Sequence, residues 1–130
     1  MIVLDASALL EVLLARPAGL RALPRLLGGR ESLHAPHLID VEVAQTLRRY
    51  AGAGQLPTPR DREALDDLVD FPLRRHPHAP LLPRMWDLRA NLTAYDAAYV
   101  SLAEALEAPL LTADRHLAAA PGHAARVELI

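Results

Sequence analysis

The 130-residue chain contains no cysteine, which excludes disulfide scaffolds, thiol nucleophiles and thiolate-bound metals. Lysine is absent too, and all 14 basic residues are arginine. That rules out Schiff-base chemistry, a phosphate-loop lysine and the phosphorylated-receiver site that sets a lysine beside its aspartates. Aromatic residues make up only 4% of the chain, so a core has to be built from Leu, Ala, Val and Ile. No apolar run approaches the ~20 residues of a membrane-spanning helix. The start, Met1-Ile2-Val3-Leu4-Asp5, meets a charge at once and has no basic leader. A soluble cytoplasmic protein without a membrane partner is the expectation. A net charge of −2 advertises neither nucleic acid nor an acidic surface.

What the chain does have is an ordinary globular composition, 52% hydrophobic and 23% charged, at a length that suits one domain over residues 1–130. Met1 to Leu4 is an apolar run ending at Asp5 and reads as a strand buried on both faces. Ser7 is placed to cap the helix that follows, which Pro17 breaks. A leucine-rich second helix ends at Gly28-Gly29, and Ser32 to Ala35 forms a candidate strand. Pro36 suits the first turn of a long helix running to about Ala51. Thr58-Pro59 followed by Arg60-Asp61-Arg62-Glu63 has the cap, proline and early acids of another helix start. Phe71 to His78, punctuated by prolines, reads as a short strand or a loop. Helices are expected over Leu81–Ala90 and Ala94–Glu107, then a strand at Pro109–Thr112, a short helix and a last strand at Arg126–Ile130. This alternation predicts an α/β fold with a mainly parallel sheet.

In open α/β sheets, sites form beyond the carboxyl ends of the strands. Asp5 directly follows the first strand and Asp114 a later one, and each also fits the role of a helix cap. Glu42 lies beside the apolar stripe of Ile39, Val43 and Leu47, where a carboxylate is costly to desolvate without a cation; pairing with Arg49 at the surface is the alternative. Asp96 heads a helix of small residues and suits its dipole, or simply takes part in its cap. Four carboxylates converging on one sheet edge would repel, and a divalent cation would relieve that repulsion. Oxygen ligands without Cys or a His cluster favour Mg²⁺ or Mn²⁺ over zinc. The pairs His34/His37 and His76/His78 lack the helical spacing of a zinc site and read as loop or surface residues.

These segments, Ile2-Val3-Leu4-Asp5-Ala6-Ser7-Ala8, Glu42 in its long helix, Thr93-Ala94-Tyr95-Asp96-Ala97-Ala98-Tyr99 and Leu111-Thr112-Ala113-Asp114, resemble PIN-domain ribonucleases. The resemblance covers essentially the whole chain and is nearest to the VapC toxins of bacterial toxin–antitoxin pairs. It implies a single three-layer α/β/α, Rossmann-like PIN domain. It also implies a Mg²⁺- or Mn²⁺-dependent endoribonuclease that leaves 5′-phosphate and 3′-hydroxyl ends and is silenced by a cognate VapB-like antitoxin. Asp5, Glu42, Asp96 and Asp114 take the positions of the family's acidic quartet, which binds metal and carries catalysis. Ser7 and Thr112 match hydroxyl positions that orient an acid or a phosphate. Some relatives carry a further acid after the fourth, where this chain has His116. A haloacid-dehalogenase-type phosphatase would need a second acid at position 7 and a lysine, and has neither here. The remaining alternative is a catalytically silent PIN domain serving as an RNA-binding or protein-interaction scaffold.

Partners follow in the same way. The positive charge for RNA has to come from arginines, with Arg48, Arg49, Arg84, Arg89 and Arg115 as candidates. Leu20, Leu23, Leu26 and Leu27 add to an already leucine-rich first helix, either as core or as a groove for an antitoxin helix. Leu81, Leu82, Met85, Trp86, Leu88 and Leu92 either fill the core or leave an apolar side for a homodimer.

Overall fold

The computed structural model describes residues 1–130. In chain order the elements are β1 (Ile2–Leu4), α1 (Ala6–Leu13), α2 (Pro17–Leu27), β2 (Leu33–Pro36), α3 (Leu38–Gly52), α4 (Arg60–Asp70) and β3 (Leu73–His76). A 3-10 turn at Ala79–Leu81 then leads into α5 (Leu82–Asp87), α6 (Ala94–Leu106), β4 (Leu110–Thr112), α7 (Arg115–Ala119) and β5 (Val127–Leu129).

The apolar run at the start becomes the central strand. Ile2, Val3 and Leu4 are all 0% exposed, which requires helices on both faces of the sheet. The five strands are parallel throughout and lie in the order β3-β2-β1-β4-β5. From β1 the chain steps outward to β2 and β3, then returns over the sheet to β4 and β5. Right-handed crossovers therefore put α1–α4 on one face and α5–α7 on the other. The packing agrees: α1 rests on α2, α3 and α4, while α6 lies over β1, β2 and β4 with α5 against it. Gly19 lets α2 approach α1 closely, because a Cβ there would collide with the Glu11 carbonyl.

Several local expectations need correcting. Asp5, not Ser7, caps α1: its side chain accepts from the Ala8 N–H. Pro36 belongs to β2 rather than to the next helix, opposite His76 of β3, and α3 begins at Leu38. Of the two readings of Phe71 to His78 the strand holds, as β3, and the helix expected over Leu81–Ala90 is a 3-10 turn plus the short α5. The paired histidines are not simply loop or surface groups. His34 sits on β2 at 4% exposure, with Nδ1 2.9 Å from His76 Nε2 and Nε2 2.8 Å from Ser32 Oγ. Burial and the neighbouring His76 lower its pKa. The Leu38 N–H donates to His78 Nε2 at 3.0 Å. Pairing of β2 with β3 in parallel register brings these residues together, a long-range fact that proline punctuation in the sequence conceals.

Candidate active site

β1 is where the strand order switches direction: its successor β2 lies on one side and β4 on the other. Between β1 and β4 the carboxyl ends open into a crevice where α/β sheets place their sites. Asp5 leaves the end of β1 and Asp114 follows β4, while α6 crosses this region and brings Asp96 in its first turn. Glu42 comes from α3, just after its first turn.

Asp5 is the most tightly held. Its carboxylate is 5% exposed and accepts three hydrogen bonds: from the Ala8 N–H at 2.8 Å, from Ser7 Oγ at 2.7 Å and from Thr112 Oγ1. The two hydroxyls are themselves oriented by β4 and the turn after it. Ser7 Oγ accepts from the Ala113 N–H and Thr112 Oγ1 from the Asp114 N–H, both at 2.9 Å. With each hydroxyl proton given to Asp5, neither hydroxyl has a proton left to donate across their own 3.2 Å approach. Ser7 and Thr112 thus clamp one acid and tie β1 to β4.

The other acids are less constrained. Asp96 is half-buried; its N–H donates to Thr93 Oγ1 at 3.2 Å, which caps α6. Asp114 caps α7 through the His116 N–H at 2.8 Å. Glu42 is half-buried with Oε1 sealed from solvent and without a partner. Neither Arg49 nor any other arginine pairs with it, so the surface ion-pair alternative falls away. Asp5 and Asp114 each cap a helix while standing at the ends of β1 and β4, so capping is compatible with a place in a site there.

Electrostatics joins these groups. Burial pushes Glu42 up to about 7, with further upward pressure from Asp5 and Asp96. Burial raises Asp5 despite its three donors, and Asp96 adds to that. Burial also raises Asp96, with Asp114 adding to it. Asp114 thus acts on Asp96, Asp96 on Asp5 and Glu42, and Asp5 on Glu42, and no arginine stands among the groups that shift these three acids. No three carboxylate or imidazole groups are gathered at a spacing that would hold an ion as they stand.

One participant escaped the sequence reading. Tyr99 is 1% exposed, and its hydroxyl is held protonated by burial and by the nearby Glu42 and Asp5 charges. The signal was present: Tyr99 follows Asp96 by three, hence on the same side of α6. Of the candidate arginines, Arg115 lies next to Asp114 on α7. Arg84 is taken up by Glu104, through bonds of 2.7 and 3.0 Å, and Arg89 stacks on Trp86.

Comparison with known proteins fits this architecture. A family profile described as PIN domain matches residues 2–122. Ribonuclease VapC1 of Mycobacterium tuberculosis is 44% identical over 130 residues, covering 98% of this chain and 96% of its own. Ribonuclease VapC12 of the same organism is 46% identical over 133 residues, covering 100% of this chain and 99% of its own. Among solved structures, VapBC2 from Rickettsia felis, bound to a DNA fragment from its promoter, aligns with a TM-score of 0.70. That alignment covers 99% of this chain and 98% of that one at 15% identity, a likeness of fold alone. With a family profile over nearly the whole chain and relatives 44% and 46% identical along almost their full length, this chain belongs to the PIN-domain family, in its VapC ribonuclease branch.

Proposed function

We propose that the chain is a metal-dependent endoribonuclease toxin, with Asp5, Glu42, Asp96 and Asp114 as its catalytic, metal-holding acids. The observation that carries this reading is that Asp5, Glu42 and Asp96 are all raised, by burial first and by neighbouring acids second, with no cation of the chain to offset it, at the switch point of the sheet. Glu42 Oε1, buried and partnerless, adds to it. An all-oxygen, anionic donor set fits Mg²⁺ or Mn²⁺. When bound, such an ion supplies Lewis acidity, polarising a phosphodiester and lowering the pKa of water. Asp5, fixed by three donors, is the anchoring ligand. Glu42 and Asp96 are freer to adjust, and Asp114 completes the set from the α7 side. Ser7 and Thr112 support the site by holding Asp5 in one orientation.

RNA is the substrate class, in line with the ribonuclease names of the relatives. Arg115, exposed beside Asp114, is the arginine best placed for the RNA backbone. The partner is a VapB-like antitoxin, in line with the VapBC2 structure that shares this fold. Both toxin and antitoxin would act in the cytoplasm, and no helix here is long and apolar enough to cross a membrane. A homodimer through the α5 surface completes the reading, supported by Trp86 and Leu82 at 68% and 53% exposure.

Incubating the purified chain with structured RNA tests the proposal. Cleavage with 5′-phosphate ends in Mg²⁺ or Mn²⁺, abolished by EDTA, is expected. Equal cleavage in excess EDTA rejects the mechanism. No cleavage under any divalent ion, with RNA still bound, favours the silent scaffold.

A further inference from the structure

Tyr99 leaves α6 on the same side as Asp96, one turn further on. Its ring belongs to the fully buried core, yet its hydroxyl has no hydrogen-bond partner. Glu42 Oε1 is in the same condition, sealed and partnerless, and the two groups are near enough for each to shift the other's pKa. A buried hydroxyl left without a bond costs stability, and phenylalanine would fill the same space without that cost. A polar atom kept where folding alone would prefer an apolar one points to a use outside folding.

Resting on the ligand role proposed for Glu42, we infer that Tyr99 is a positioning residue for that acid. Its O–H donates to Oε1 of the charged carboxylate and so leaves Oε2 turned toward the pit and available to an ion. Tyr99 suits the task because its ring is locked by packing, so the donor has one direction. The hydroxyl itself touches neither ion nor RNA.

The test uses the full-length chain as wild type, Tyr99→Phe, Glu42→Gln and the double variant. Mn²⁺ affinity is measured by calorimetric titration and unfolding temperature by heating in EDTA. Tyr99→Phe should unfold no lower than wild type in EDTA yet bind Mn²⁺ about tenfold more weakly, the scale typical of a lost outer partner of a ligand. In the Glu42→Gln background, removing the hydroxyl should change Mn²⁺ affinity no further, because its effect runs through Glu42. Unchanged Mn²⁺ affinity in Tyr99→Phe overturns the inference while leaving Glu42 as a ligand. Equal weakening in both backgrounds also overturns it. Should Glu42→Gln itself bind Mn²⁺ like wild type, the ligand role of Glu42 fails, and the role of Tyr99 falls with it.

Discussion

At the scale of single residues, gathering these carboxylates comes at a cost to folding. Asp5 has three hydrogen-bond donors and still loses to desolvation, so its charge is tolerated rather than favoured by the folded protein. Glu42 Oε1 has no partner at hydrogen-bond distance, and burial, with Asp5 and Asp96 adding to it, raises the carboxyl from 4.5 to about 7. A carboxyl raised by folding stabilises the fold while protonated. That contribution is complete below about 4.5 and is lost as pH climbs through about 7. In EDTA, wild type should therefore lose stability relative to Glu42→Gln between these limits, by about 2 kcal/mol. That is less than the full shift would give, because a half-buried group is partly screened by solvent. Denaturant titrations of both proteins from acid to neutral pH check this, and parallel stability curves would refute it. Ser7 and Thr112 were legible as hydroxyls near the acids. That their protons both go to Asp5 was not, because Thr112 reaches it across the sheet from residue 112 to residue 5.

At the scale of elements, the acids are delivered by helix starts. Asp5 caps α1, Asp114 caps α7, and Asp96 lies in the first turn of α6. Positive helix ends thus offset part of the cost of gathering negative charge. Caps and prolines made most of these starts readable, whereas the shift of Pro36 into β2 depends on pairing with β3, which no local pattern encodes. Leucine counting overstated the free surface: Leu9, Leu10, Leu13 and Leu26 are core, and only Leu20 and Leu27 of the first two helices stay exposed. Co-expression with the adjacent small open reading frame should give a stable complex lacking nuclease activity, and Leu20→Asp combined with Leu27→Asp should weaken it. A neighbouring product that neither binds nor inhibits would contradict the antitoxin assignment. The late apolar segment divides similarly. Leu81, Leu88 and Leu92 are buried, while Leu82 and Trp86 project outward, with Arg89 stacked on the indole. Trp86→Glu should then halve the mass seen in sedimentation without lowering the unfolding temperature by more than a few degrees. A wild type that sediments at 14.2 kDa at high micromolar concentration would contradict the dimer.

At the scale of the whole molecule, function follows from topology. Reversal of strand order at β1 opens a crevice between β1 and β4, and the chain returns over the sheet through α6 to bring Asp96 there. Residues more than ninety apart come together because the parallel sheet demands long crossovers, so the sequence could offer these acids as candidates but not show their spacing or their shifts. The α/β class and parallel sheet were readable from buried strands alternating with helices; the order β3-β2-β1-β4-β5 was not, since strand order is a non-local choice. The central claim is that this crevice is an ion-dependent nuclease centre built on Asp5 and Asp96. The most direct measurement is the rate of RNA cleavage in Mn²⁺ by wild type, Asp5→Asn and Asp96→Asn, each verified as folded by its thermal transition. Loss of at least about a hundredfold in rate in both variants, with folding intact, is the predicted result. Full activity in a folded Asp96→Asn protein would contradict it.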